Sequence, residues 1–185
     1  MKASVLVVAV CLIIPFTFAS AQQRSDQQKE KTESSEAVCP MHDAHSHSSK
    51  PSAALIERGE KGMGFSQTDT THHFLIKPDG GVIQVEVNDP TDKTDRANIR
   101  KHLAHIAHAF RDGDFEIPSF VHDTLPPGVA EMQRRREKIE YSFEETPAGG
   151  HVIIATADQE SLSAIHKFLR FQIEEHKTGD PTEGR

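Results

Sequence analysis

A short segment near the start of the chain gathers the side chains best suited to binding a metal. Between residues 39 and 47 it offers a thiolate, a thioether and three imidazoles. This mixture of soft sulfur and nitrogen ligands suits Cu(I) better than Mg²⁺ or Ca²⁺. Zinc could use the cysteine with the histidines but has little use for the methionine, and a polar His-rich tether could also bind metal adventitiously. The segment therefore predicts a copper site, with zinc as the alternative. Its candidate ligands are Cys39, Met41, His42, His45 and His47.

The core of this segment, Cys39-Pro40-Met41-His42, resembles the short heavy-metal-binding domains attached to bacterial copper and cation efflux proteins, whose hallmark is a Cys-Pro-Met-His core. The resemblance implies a ligand role for Cys39, Met41 and His42. It covers only these residues, and no second cysteine cluster follows, so it implies nothing about the fold of the remaining chain. A loop site this short is expected to acquire or pass on a metal, not to hold it rigidly for catalysis.

A second group of histidines lies in the body of the chain. Three of them recur at three-residue steps on a predicted helix, where neighbours in the row could share a metal. Two more stand side by side in a predicted strand and point to opposite faces, so at most one can join a site under the helix. This secondary metal or small-molecule site consists of His72, His73, His102, His105 and His108.

An internal echo favours a competing interpretation of the helix histidines. The segment 99–114 shares Ile, Lys, Leu, Gly and Asp with the segment 165–180 in an ungapped register. In that register, phenylalanines stand where His102 and His105 stand. These two positions are then expected to be partly buried packing positions, where histidine serves as a flat, amphipathic ring.

The phenylalanines themselves, Phe168 and Phe171, lie off the predicted core stripe of their own helix. They are expected either to pack against the first helix or to form an exposed apolar patch for a partner, such as a second copy of the chain. The remaining histidines are predicted to be structural, and the Arg134–Arg136 run to be a solvated helix face. Those histidines are His122, His151, His166 and His176.

The start of the chain predicts export. Lys2 precedes an apolar run over residues 3–18, and the small residues of Ala19-Ser20-Ala21 form a cleavage site for a secretory signal peptide over residues 1–21. An uncleaved anchor is the alternative, but the run is shorter than the roughly 20 apolar residues that span a bilayer. Cleavage removes Cys11 and leaves Cys39 as the lone cysteine in a periplasmic or secreted protein, without membrane insertion. The net charge of −7 makes nucleic acid a poor partner.

The elements that must position these residues follow a repeated pattern. Residues 22–57 are too polar to fold and predict a disordered tether. A domain over 58–177 then alternates hairpin and helix twice: a hairpin turning at 78–81, a helix from about 93 to 111, a second hairpin turning at 147–150 and a closing helix to about 176. Residues 178–185 are predicted to be a flexible tail. A short extended piece is predicted near Phe120, and Asp158 should cap the closing helix. The first helix should bury a stripe formed by Ile99, Leu103, Ile106 and Phe110, and the closing helix a stripe formed by Leu162, Ile165, Leu169 and Ile173.

This order predicts an α+β domain: two ββα repeats form a mainly antiparallel four-stranded sheet with two helices on one face, and a pseudo-twofold axis relates the halves. The leading functional hypothesis is an exported metal-binding protein acting in metal acquisition, transfer or resistance, with a metal-exchange protein as partner. The alternative is a small-molecule-binding or enzymatic domain with a His-lined pocket near the first helix, although no catalytic motif is evident. A third hypothesis is an oligomeric interaction module that uses the two phenylalanines.

Overall fold

A computed structural model describes residues 51–184, which form five α-helices, a short 3₁₀ turn and four β-strands. The helices are α1 (Ala53–Met63), α2 (Lys93–Asp112), α3 (Glu116–His122), α4 (Val129–Arg134) and α5 (Gln159–His176). The strands are β1 (Thr70–Lys77), β2 (Gly80–Val87), β3 (Glu140–Thr146) and β4 (Gly149–Ala155). The predicted signal peptide and the Cys39–His47 segment lie outside the described residues. The predicted tether is described only from residue 51, and α1 begins at Ala53.

The strands form one antiparallel sheet in the order β1-β2-β4-β3. Each hairpin is closed at a Gly-Gly pair, and the two hairpins meet along β2 and β4, where Ile83 pairs with Val152. In β2 and β4 alternate residues are buried, in β1 Phe74 and Ile76 are buried, and in β3 Tyr141 is buried with Phe143 half-buried on the same face. This is the pattern of a sheet covered on one face. The predicted α+β class, with two ββα units and a four-stranded antiparallel sheet, is confirmed.

Each long helix packs mainly on the hairpin of the other repeat. Helix α2 lies against β3 and β4, whereas α5 lies against β1 and β2. This exchange joins the two halves in one hydrophobic core, because neither hairpin is covered by its own helix alone. The core therefore depends on contacts that are distant in sequence.

Helix α2 forms where the sequence predicted it. The Asp92 side chain accepts hydrogen bonds from the backbone N–H groups of Thr94 and Asp95, which caps the first turn. Gly113 ends the helix with a φ of 82°, a left-handed conformation that glycine adopts without a steric penalty. All four residues of the predicted stripe are buried. The helix periodicity thus placed the inner face of α2 correctly.

Helix α5 is capped by Asp158 as predicted. Its buried face differs from the predicted stripe, because it includes Phe168. Leu162 is only half-buried, whereas Phe168 is 1% exposed. Ile165, Leu169 and Ile173 are buried as expected. The stripe was wrong at its first residue because α4 packs against α5 and covers the side that carries Phe168.

Helix α3 corrects a second expectation, since the segment near Phe120 was predicted to be extended. Asp114 Oδ1 accepts a hydrogen bond from the N–H of Glu116, the first residue of the helix, at 2.8 Å. Pro118 is tolerated because it lies near the start of the helix, where a backbone N–H has no helical partner. The helix buries His122 at its last residue. This placement matters for the site described below.

The segment after α5 lies along the free edge of β1. Asp180 Oδ2 accepts a hydrogen bond from the Phe74 N–H, and Asp180 Oδ1 lies 2.9 Å from His73 Nδ1. Arg170 Nε donates to the carbonyl oxygen of Thr182 at 2.7 Å. The predicted tail residues therefore cover part of an edge strand that would otherwise present unpaired backbone groups.

Candidate functional site

A cavity of about 60 Å³ lies between the sheet and the helices. Strands β1 and β2 form its floor, and residues of α1, α2, α3 and α5 form its walls. Most of its lining is apolar, but four histidines and one glutamine also face it. A cavity of this size can hold one or two water molecules or a single ion.

The four histidines come from four different elements. His72 lies on the buried face of β1, His102 on α2, His122 at the end of α3 and His176 at the end of α5. We call these residues the histidine cluster. No two of them are neighbours in sequence, so the fold alone brings them together.

The rings of the histidine cluster touch one another and the surrounding aromatic side chains. His176 stacks on His72 with ring centroids 5.5 Å apart, and meets His122 edge to face at 5.1 Å. Phe65 stacks on His72 at 5.9 Å and packs edge to face on His102 at 5.6 Å. Aromatic packing therefore fixes the ring planes, while ring nitrogens remain available for a ligand.

The hydrogen bond of His122 determines which of its nitrogens carries the proton. His122 Nε2 donates to the side-chain carbonyl of Gln172, Oε1, at 2.9 Å. Because a carbonyl oxygen can only accept, the proton lies on Nε2 and the lone pair lies on Nδ1. His122 Nδ1 is buried and has no hydrogen-bond partner. The geometry thus leaves an oriented lone pair without a partner.

Two further buried polar atoms of the cavity lining lack a partner, His72 Nε2 and Gln172 Nε2. Leaving a buried polar group unpaired costs about 1–3 kcal/mol. Such groups are uncommon in folded proteins, and each one calls for a physical explanation. Three of them around one cavity indicate a site for a ligand.

Burial also keeps the imidazoles uncharged at neutral pH. Loss of hydration, with smaller contributions from the neighbouring His102 and His73, lowers the pKa of His72 to about 4. Burial likewise lowers the pKa of His102 to about 4, with a smaller contribution from His105. Burial lowers the pKa of His122, against the opposing effect of the Gln172 hydrogen bond, and holds the pKa of His176 well below its ordinary value. Neutral imidazoles keep the lone pair that metal binding requires.

The internal echo shows what stands at the same positions in the other repeat. His102 corresponds to Phe168 and His176 corresponds to Phe110, in the register that aligns the two helices. His72 pairs with Val85 and Tyr141 pairs with Ile154, at the same distance from the Gly-Gly of each hairpin.

We call this counterpart of the histidine cluster the aromatic cluster. Phe110 stacks on Phe115 with centroids 4.2 Å apart and packs edge to face on Tyr141 and Phe168, at 5.9 and 5.8 Å. Its members are Phe110, Phe115, Tyr141 and Phe168.

The structure brings together only part of the secondary site predicted from the sequence. His72 and His102 join the cavity, but His73 points to the other face of the sheet and pairs with Asp180. His105 and His108 are exposed, and His108 Nδ1 lies 3.1 Å from Asp112 Oδ2 on the same helix. These three are excluded from the cavity because β-strand residues alternate faces and the helix turns His105 and His108 away.

Sequence reasoning assigned two members of the histidine cluster, His122 and His176, to structural roles. A signal was present for His176, because the echo aligns it with Phe110, which belongs to the predicted core stripe. No comparable signal existed for His122 or Gln172. Their meeting depends on α3, a helix that the sequence did not predict.

The phenylalanines proposed for partner contact are placed inward. Phe168 is buried and packs on Phe110 of α2, which is the first of the two predicted alternatives, and it offers no surface to a partner. Phe171 is half-buried against His122, with ring centroids 4.9 Å apart. The exposed large apolar side chains of the described residues are instead Phe120 and Leu125.

The other predicted structural histidines have local partners. His151 Nε2 lies 3.1 Å from Glu144 Oε2, and His166 Nε2 donates to the carbonyl oxygen of Lys77 at 2.9 Å. In the arginine run, Arg135 pairs with Glu131, Asp158 and Glu160 and so connects α4 with the start of α5. These contacts explain the residues through structure, without a ligand.

Comparison of the chain with protein-family models, curated proteins and solved structures gave no match. Within residues 51–184, no three His, Cys, Asp or Glu side chains are arranged as a ready metal centre. In the same part of the chain, no helix is long and apolar enough to cross a membrane. The site must therefore be interpreted from the chemistry of its own residues.

Proposed function

We propose that this chain is an exported metal-binding protein that carries copper or another soft transition metal in metal acquisition, transfer or resistance. The observation that carries the proposal is the gathering of neutral imidazoles, with two unpartnered ring nitrogens, around one cavity. Imidazole nitrogen is a ligand for copper and zinc and a poor one for magnesium or calcium.

The Cys39–His47 segment supports the same function independently. It combines sulfur and imidazole ligands and resembles the Cys-Pro-Met-His core of heavy-metal-binding domains. In this proposal the segment acquires or passes on the metal, because it offers soft ligands in a short stretch of chain. A metal-exchange protein of the same periplasmic or extracellular space is the expected partner.

Elemental analysis of the purified mature protein tests this proposal. We expect about one or more equivalents of copper per chain after anaerobic loading and gel filtration. The double variant Cys39→Ala/Met41→Ala should lose most of the uptake at the segment, since it removes both sulfur ligands. Copper well below one equivalent in the unaltered protein would contradict the proposal. The single variant Ser48→Ala serves as a matched control, because it alters a non-ligand close to the same segment.

A second candidate function is the binding of a small molecule by the cavity itself. The apolar lining, which includes Ile83, Val85 and Leu103, favours this alternative, because small-molecule sites are mostly apolar with a few placed polar groups. The cavity volume of about 60 Å³ limits such a ligand to a few non-hydrogen atoms. Deleting residues 22–50 removes the Cys39–His47 segment and leaves the cavity in place. A small molecule that binds in the cavity should therefore still bind, whereas metal held by the segment should be lost.

A further inference from the structure

We propose that the histidine-lined cavity is a second, buried metal site that selects monovalent copper and holds it through His122 Nδ1, His72 Nε2 and the Met63 thioether. This inference rests on the proposed function and adds to it a site within the folded domain. No residue of the Cys39–His47 segment takes part in it.

His122 is the best-prepared ligand of the three. Its Nε2–H is engaged by Gln172 Oε1 at 2.9 Å, while Nδ1 is buried and unpartnered. Metal-binding histidines commonly donate their second ring N–H to a carbonyl or carboxylate, which fixes the tautomer and the ring orientation. Gln172 supplies this contact and is therefore a positioning residue for His122.

The two other donors reach the cavity from opposite sides. His72 Nε2 is buried and unpartnered on β1, and Met63 lines the cavity from the last turn of α1. The His176 ring lies against both His72 and His122, so it closes the space between them. A thioether beside imidazoles is a soft set of ligands, which favours Cu(I) over harder divalent ions.

The charge of the cavity lining also favours a monovalent ion. None of the residues that line the cavity, all of them within residues 51–184, is an aspartate or a glutamate. An ion in an apolar site loses hydration energy that grows steeply with its charge, and no carboxylate lines the cavity to offset that loss. Outside the lining, Glu175 raises the pKa of His122 and Arg58 opposes this effect. Ca²⁺, Mg²⁺ and Zn²⁺ would each leave a double charge uncompensated.

The number of donors points the same way. Structural zinc sites are four-coordinate and catalytic ones use three protein ligands of the His, Cys, Asp or Glu type, whereas the proposed site offers two imidazoles and one thioether. Cu(I) accepts two or three ligands, so two imidazoles and a thioether suffice. A single ion fits within a cavity of about 60 Å³, which all three of these residues line.

The test uses the mature chain with its segment ligands removed together: Cys39→Ala, Met41→Ala, His42→Ala, His45→Ala and His47→Ala. We call this protein the segment-silenced chain. Cu(I) is titrated anaerobically in competition with a chromophoric Cu(I) chelator. We expect one Cu(I) per chain, and Zn²⁺ binding at least tenfold weaker.

Variants of the segment-silenced chain then assign the ligands. His122→Phe and Met63→Leu should each weaken Cu(I) binding at least tenfold, and Gln172→Leu should weaken it about 10-fold to 100-fold, as expected when an oriented ligand loses its support. His105→Phe is the matched control, because His105 is exposed on α2, and it should bind Cu(I) unchanged. Circular dichroism and thermal unfolding identify any variant that fails to fold. X-ray absorption of Cu(I) bound to the segment-silenced chain, in which all cavity residues are unaltered, should show nitrogen and sulfur atoms bonded to the copper.

The outcomes separate the inference from the proposed function. Copper binding by the mature chain but none by the segment-silenced chain would overturn the cavity site and leave the proposed function intact. Full Cu(I) affinity in folded His122→Phe and Met63→Leu variants would also overturn it, as would equal affinity for Zn²⁺. Absence of copper binding by the unaltered mature chain would refute both.

Discussion

The histidine cluster and the aromatic cluster occupy corresponding places in the two repeats but differ in chemistry. Phe110, Tyr141 and Phe168 fill one place with close aromatic packing. At the other place, His176, His72 and His102 line a cavity, and the buried Nε2 of His72 lacks a hydrogen-bond partner. The aromatic cluster is not wholly different, because the Tyr141 hydroxyl is also buried without a partner, and Phe110 and Phe168 reach the same cavity. The imidazoles differ in carrying nitrogen lone pairs that phenyl rings lack. We therefore propose that the histidine cluster binds a ligand, whereas the aromatic cluster contributes packing.

The sharpest contrast should appear when corresponding rings are removed. Phe168→Ala removes a fully buried ring and should lower the free energy of unfolding by about 3–5 kcal/mol. The corresponding variant, His102→Ala, should cost about 1–2 kcal/mol, because His102 is only half-buried and its ring is smaller. Urea denaturation at neutral pH measures both. Equal losses would mean that the two clusters serve the same purpose.

Acid should destabilise the domain through the histidine cluster. Burial lowers the pKa of His72 and His102 from 6.5 to about 4 in the folded state, so the unfolded chain binds more protons below about pH 6.5. Stability is therefore fully present above pH 6.5 and declines as the pH falls toward 4, by at most about 3 kcal/mol for each of these histidines.

Denaturant titrations between pH 7 and 4 measure this effect. His72→Phe/His102→Phe should flatten the decline, whereas His105→Phe/His108→Phe, a pair of exposed histidines on α2, should leave it unchanged. If the free energy of unfolding falls equally in both double variants, the loss of stability in acid comes from surface carboxylates and not from the cavity histidines.

Replacing a single cavity histidine by an apolar ring should stabilise the unliganded domain. His72→Phe removes the buried, unpartnered Nε2 and should raise the free energy of unfolding by about 1 kcal/mol at neutral pH. The same change should weaken Cu(I) binding, because it removes a proposed ligand. Such a pair of effects is expected where a functional site reduces stability. Loss of stability in this variant would indicate that His72 is well satisfied in the absence of a ligand.

The smallest effect is expected at the exposed helix histidines. His105→Ala should change the free energy of unfolding by no more than about 0.5 kcal/mol, because the residue is exposed and makes no contact with the cavity. Chemical denaturation at neutral pH measures the difference. A larger loss would require a role for His105 beyond the solvated face of α2.

The sequence predicted the fold better than the site. Hairpin turns and the stripe of α2 are local signals, since they depend on residues a few positions apart, and they were sufficient for the α+β class. The echo also linked His102 to Phe168 and so predicted a packing position. The structure places both residues on the lining of one cavity, with Phe168 fully buried and His102 half-buried.

What the sequence could not supply was the meeting of distant residues. His122 reaches the cavity only because α3 turns it inward, and His176 only because α5 crosses the first hairpin. Their depressed pKa values and the Gln172 hydrogen bond follow from that burial. The sequence showed that His72 and His73 point to opposite faces of β1 but not which of them points inward. The structure shows that His72 lies on the inner face.

The central claim is that the histidine cluster binds a metal while the aromatic cluster only packs, and ring-nitrogen NMR tests it most directly. One equivalent of Cu(I) is added anaerobically to ¹⁵N-histidine-labelled segment-silenced chain. The account predicts that the signals of His122 Nδ1 and His72 Nε2 shift, while those of the exposed His105 and His108 stay in place. Unchanged signals for both cavity nitrogens, or shifts confined to the exposed histidines, would contradict it.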